Sequence, residues 1–163
     1  MSTTHQIEVF FHNLWGSDIY DVKVEFSTSK AHVGSHSYST ECVTAGGKWG
    51  PLVRHYETGP HAAEFDYWYV EFSTSKDPSG MYSGSNKFAC VIDSEVPPSG
   101  HIDLWVSGKD QAFYTGYPDA SGMRPGVSGY SGSPRENPGG DYTCYSKLVH
   151  TDAPVDEKDC APS

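Results

Sequence analysis

Along most of this chain apolar residues occupy every second position. Ile7, Val9 and Phe11 share one side of a first segment, and Tyr20, Val22, Val24 and Phe26 share one side of a second, with the turn-like Asn13-Leu14-Trp15-Gly16-Ser17-Asp18 between them. Two alternating segments joined by so short a turn predict a β-hairpin. Trp68, Val70 and Phe72 take up the same phase further on, which leaves Tyr67, Tyr69 and Glu71 on the opposite face. Residues 52–57, 88–92, 101–107 and 112–117 read as further short strands, separated by Gly, Pro and Ser turns, and no stretch carries a helical period. The pattern predicts an all-β, single-domain antiparallel sandwich or barrel-like fold.

One heptapeptide occurs twice: Val24-Glu25-Phe26-Ser27-Thr28-Ser29-Lys30 returns as Val70-Glu71-Phe72-Ser73-Thr74-Ser75-Lys76. Each copy leads through a Ser/Gly-rich turn to a Cys-Val pair, Cys42-Val43 and Cys90-Val91, as expected of a strand-turn-strand unit used twice. Residues 1–117 therefore read as the β-domain core with its internal repeat. Residues 118–141 are a Gly/Ser/Pro-rich loop with too few aliphatic residues to offset the ordering of their backbone, and 142–163 supply a last strand over 142–149 and an acidic tail.

Composition narrows the partners. With 163 residues the chain makes one domain with a proper core. Its 11 Tyr, 4 Trp, 17 Gly and 11 Pro suit strands joined by many turns. A formal charge of −10 with no basic cluster excludes a phosphate-tracking nucleic-acid surface and disfavours anionic membranes. No apolar run is long enough for a transmembrane segment. Met1-Ser2-Thr3-Thr4 leads directly into a strand-like segment, as in a chain made without a signal peptide or a mature form behind a start Met. Cys42, Cys90, Cys144 and Cys160 form no CxxC pair, so zinc-ribbon and thioredoxin-type sites are not indicated. Pairing of Cys144 with Cys160 is the favoured disulfide, since the tail has little else to hold it. Paired cysteines imply an extracellular home and free ones a cytoplasmic home.

A family pattern runs through these elements: a first strand ending in Asn13, a second with Val22 and Val24, then Tyr56, Thr58 and Gly59, then Asp66-Tyr67-Trp68-Tyr69-Val70. It resembles the Up-regulated in Daf domain, a small family named for its up-regulation in long-lived nematode mutants, over residues 7–116. Glu25-Phe26-Ser27 stands where that family carries a His-Arg-Tyr-like stretch. The resemblance implies a compact, mostly β domain without an established activity. It brings no catalytic residues.

Three constellations can carry chemistry. His32 and His36 lie four apart, and His55 and His61 flank residues 56–60, so two local pairs can converge on Zn or Cu through neutral imidazoles. Without a helix this spacing does not put either pair on one face, and solvated turn histidines are the plainer reading. No cofactor is otherwise predicted. Hydrolase chemistry is poorly supported, because no Gly-x-Ser-x-Gly occurs and Gly129-Tyr130-Ser131-Gly132-Ser133 lacks the acidic residue of a protease nucleophile loop. The third constellation is aromatic. If Trp68, Val70, Ile102, Leu104 and Val106 face the core, Tyr67, Tyr69, His101 and Trp105 face outward, with Asp66 and Asp103 as hydrogen-bonding neighbours.

These readings favour non-catalytic recognition of a glycan or amphipathic small ligand, with Tyr67, Tyr69, Trp105, His101, Asp66 and Asp103 as its residues. A His-dependent metalloenzyme and a structural or stress-related protein that homodimerises through exposed strand edges are the alternatives.

Overall fold

Alternation becomes strand wherever the chain is described in this computed structural model, which covers residues 3–28, 36–58, 66–76, 79–84, 101–116, 135–136, 144–157 and 160. The strands are β1 (Thr3–Leu14), β2 (Ile19–Thr28), β3 (His36–Val43), β4 (Lys48–Thr58), β5 (Asp66–Thr74), β6 (Gly80–Ser83), β7 (His101–Ser107), β8 (Ala112–Gly116), β9 (Arg135–Glu136), β10 (Cys144–Lys147) and β11 (Val149–Asp152). A six-stranded sheet runs β4-β1-β7-β8-β10-β9 and a five-stranded sheet runs β11-β6-β5-β2-β3. Pairing is antiparallel except for β1 with β7 and β9 with β10. Among the described residues there is no helix, and so none long and apolar enough to cross a membrane.

The two sheets pack face to face as a β-sandwich, because each presents one apolar face. Val9, Phe11, Ile102, Leu104, Val106 and Phe113 from the six-stranded sheet meet Val22, Val24, Phe26, Trp68, Val70 and Phe72 from the five-stranded one in a single buried cluster. Within it the rings of Phe26 and Trp68 meet edge to face at 5.3 Å. Burying a side chain of this size contributes about 1.5–3 kcal/mol, so the alternation itself holds the layers together.

The repeated heptapeptide runs into two neighbouring interior strands of the five-stranded sheet. β2 and β5 pair antiparallel, with Val24 opposite Val70 and Phe26 opposite Trp68. β3 flanks β2 on one side and β6 flanks β5 on the other. Val24, Phe26, Val70 and Phe72 are all buried.

The hairpin expected of the first two strands does not form: β1 belongs to the six-stranded sheet and β2 to the five-stranded one. A tight connection fixes only that two strands are close, and here the chain crosses from one layer to the other. Asn13, fully buried, holds the crossing. Its Nδ2 donates to the carbonyls of Ser17 (2.8 Å) and Val43 (2.9 Å), while its Oδ1 accepts from the Trp15 amide (2.8 Å). The single strand expected over 142–149 is likewise two strands, β10 and β11, in different sheets. Leu148 makes the step between them, donating its amide to the Gln111 carbonyl at 3.0 Å.

That second crossing corrects the expected disulfide. Cys160 pairs with Cys42 of β3, at a Cα–Cα distance of 5.7 Å, and not with Cys144. Closeness in sequence is overridden because β11 carries the chain to one edge of the five-stranded sheet and the tail then traverses the strand ends to the other. Ser79 Oγ donates to the Ala153 carbonyl at 3.2 Å, Lys76 Nζ stands 3.9 Å from Glu157 Oε1, and Cys160 reaches Cys42. Ala153 and Val155 are half-buried, whereas Pro154, Asp156 and Glu157 are exposed. One neutral hydrogen bond is worth about 1 kcal/mol and an exposed ion pair at most about 1 kcal/mol. Ordering each tail residue costs about 1–2 kcal/mol. The disulfide therefore holds the tail.

Candidate functional site

A cavity of about 300 Å³ opens where the two sheets meet at one end of the sandwich. Its wall is Trp15, the first residue past β1. The indole meets Phe72 edge to face at 5.0 Å and Tyr82 at 4.6 Å. Tyr82 is itself stacked between Phe72 at 5.5 Å and His150 at 4.5 Å, so three parallel rings back the wall. His150 donates through Nε2 to the Ser79 carbonyl at 3.0 Å, which fixes the end ring of that stack.

The polar side of the cavity comes from the same connection and from two others. Ser17 follows Trp15, Lys76 follows β5, and Gln111 lies in the β7–β8 turn. Gln111 adopts a φ of 51°, in the left-handed region. Gly108 in the same turn donates its amide to the Leu14 carbonyl at 3.2 Å, and a Cβ there would collide with the Trp15 carbonyl. Glycine thus brings the turn against the wall. Ser17 Oγ lies 3.5 Å from Thr74 Oγ1. Among the described residues the lining offers a hydroxyl, a carboxamide and an ammonium beside an aromatic wall. Such a set can bind and orient a ligand.

No family model and no curated protein matches this chain.

The residues singled out in the sequence are not gathered in one place. Tyr69 lies on the outer face of the five-stranded sheet, where its hydroxyl donates to Glu71 Oε2 at 3.1 Å. Burial and that carboxylate hold its hydroxyl above the usual tyrosine range. Asp103 and Trp105 lie on β7, on the outer face of the other sheet. Asp103 is fully buried and accepts from His12 Nε2 at 2.7 Å. Trp105 is 7% exposed and stacks on Tyr114 at 5.0 Å with an interplanar angle of 1°. Tyr145 continues the row at 5.6 Å from Tyr114. Trp105 and Tyr114 turn one face to each other, and Lys147 Nζ stands 5.8 Å from the centre of the Tyr145 ring. Tyr114 donates to Asp110 Oδ2 at 2.8 Å, and burial together with that carboxylate raises its hydroxyl far above the ordinary value. Asp66 and Tyr67 lie opposite Thr28 and Ser27, and His101 opposite Glu8, but their side chains lie outside the described residues.

Of the four histidines weighed as metal ligands, His32 and His61 lie outside the described residues. His36 sits on β3 opposite Phe26 and His55 on β4 opposite Gln6, on edge strands of different sheets, with side chains outside the described set. Among the described residues, Asp18, Cys42 and Cys160 form the one group with metal-ligand spacing. Both of its sulfurs are committed to the disulfide, and the Asp18 carboxylate accepts the Ala45 amide at 2.9 Å.

The cavity residues escaped notice in the sequence because they come from three separate connections and from β6. One signal was present. A Trp inside the polar turn 13–18 is costly to leave in water, and loops that carry large aromatics use them for packing or binding.

Proposed function

We propose that the protein is a non-catalytic recognition module whose cavity takes one sugar ring, or the ring-sized head of an amphipathic molecule. The observation that carries this reading is the Trp15 wall facing Ser17, Gln111 and Lys76 across about 300 Å³. That volume is at the lower end of small-ligand sites, so it suits one ring with the remainder of the ligand outside. An indole takes the apolar face of a sugar, and the three polar side chains hydrogen-bond its hydroxyls. Lys76 disfavours a cationic head group and admits neutral or acidic sugars. The outward-facing set of the sequence reading cannot serve one ligand as a whole, since Tyr69 and Trp105 lie on opposite faces of the sandwich.

The Up-regulated in Daf relationship is proposed on the same footing. Its pattern residues Asn13, Val22, Val24, Trp68 and Val70 are buried, so what they would carry over is scaffold and not a site. The closed disulfide favours an oxidising compartment.

Calorimetric titration of the full chain with methyl glucosides and with glucuronate tests the cavity. Trp15→Ala is expected to weaken the binding seen by roughly tenfold or more. Binding unchanged by Trp15→Ala would place the ligand elsewhere. A second reading draws on exposed Met81 (45%) and Val149 (62%) at the β11 edge. Self-association there would give a dimer in light scattering, and a monomer would remove that reading.

A further inference from the structure

The geometry points to the C-terminal tail, Ala153–Glu157 tied at Cys160, as a strap beside the mouth of the strand-end cavity that opens when the Cys42–Cys160 disulfide is reduced. This rests on the cavity being the binding site.

Three observations converge on it. First, the tail meets the cavity rim directly: Lys76 lines the cavity and its ammonium faces Glu157, so the strap occupies the cation a ligand would use. Second, the disulfide is anchored next to the other side of the same mouth. Ser17 lines the cavity, and Asp18, the next residue, has its carboxylate within 4.8 Å of the Cys42 and Cys160 sulfurs. One tie therefore spans the rim from β5 to the β1–β2 crossing. Third, the remaining contacts of the tail among the described residues are weak, one hydrogen bond at Ala153 and one ion pair between side chains 65% and 70% exposed. Once the covalent tie is lost they cannot keep the tail ordered.

The chemistry is an exchange with a dithiol reductant. Its thiolate attacks one sulfur to form a mixed disulfide, and its second thiol displaces that sulfur. Two electrons pass to the protein, Cys42 and Cys160 each end as a thiol after taking up a proton, and the reductant leaves as its own disulfide. Cys42 and Cys160 are both partly exposed, which gives the reductant access.

Amide NMR on the oxidised full chain and on a Cys42→Ser, Cys160→Ser double variant tests the inference. In the variant the heteronuclear NOE of residues 153–157 is expected to fall below that of the strands. The amides of Trp15, Ser17, Lys76 and Gln111 shift, while those of β5 and β7 stay in place. Methyl glucoside or glucuronate then binds the variant roughly tenfold more tightly, the factor expected if the closed strap is populated about nine times in ten. A tail as rigid as in the oxidised chain, or rim amides that do not move, overturns the strap. Equal affinity in the two forms overturns gating and leaves the cavity reading intact. A loosened tail with shifted rim amides and no binding in either form supports the strap as a conformational device and overturns the cavity reading.

Discussion

At the scale of single residues, two hydroxyls, one buried and one partly exposed, make opposite demands. Thr115 faces the core opposite Leu104, and its Oγ1 is buried with no hydrogen-bond partner among the described residues. A buried hydroxyl in that state costs about 1–3 kcal/mol. Thr115→Val keeps the shape and removes the hydroxyl, so it is expected to raise stability by about 1 kcal/mol in urea denaturation; a loss of stability would reveal a partner for the hydroxyl. Tyr114 is the reverse case, with its hydroxyl bonded to Asp110 and its pKa raised by burial first and that carboxylate second. Because the folded state holds this proton more tightly than the unfolded chain, the contribution is full below about pH 10 and is lost as pH rises above it. Stability is therefore expected to fall on the alkaline side of about pH 10. Tyr114→Phe should flatten that fall, and an unchanged slope in denaturation midpoints between about pH 9 and 11 would count against the assignment.

At the scale of elements, the turn joining β3 to β4 depends on one backbone conformation. Gly47 donates to the Thr44 carbonyl at 2.8 Å, and Gly46 takes a φ of 73° with nothing within 4 Å of the place a Cβ would occupy. The penalty for a side chain there is conformational alone, so Gly46→Ala is expected to cost about 1 kcal/mol in thermal or urea unfolding; a neutral result would mean the turn relaxes. Strands with strong alternation, β1, β2, β5 and β7, were legible in the sequence because burial selects one face at period two. β3 was not, because at the sheet edge Ser37, Ser39 and Glu41 alternate with Tyr38, Thr40 and Cys42, and little apolar area marks either face. The β1–β2 crossing was hidden for a different reason. Asn13 sets the turn locally, but which strand each partner joins is decided by β4 and β7 on one side and by β3 and β5 on the other, and of these β4, β5 and β7 are distant in the chain.

At the scale of the whole molecule, the C-terminal residues tie the layers together. β10 pairs with β8 in one sheet, β11 edges the other, and the tail crosses the strand ends to Cys42. Neither that path nor the cavity could be read locally. Trp15, Lys76, Tyr82 and Gln111 are brought together only when both sheets are assembled, and no short motif records their meeting. Recognition of a sugar ring requires that this cavity be the binding site. Amide NMR of the oxidised chain, titrated with methyl glucosides and glucuronate, tests it most directly. Saturable shifts centred on Trp15, Ser17, Lys76, Tyr82 and Gln111, and lost in Trp15→Ala, are the predicted result. Saturable shifts confined to the outer faces around Tyr69 or Trp105, or no shifts with any of these sugars, would contradict it.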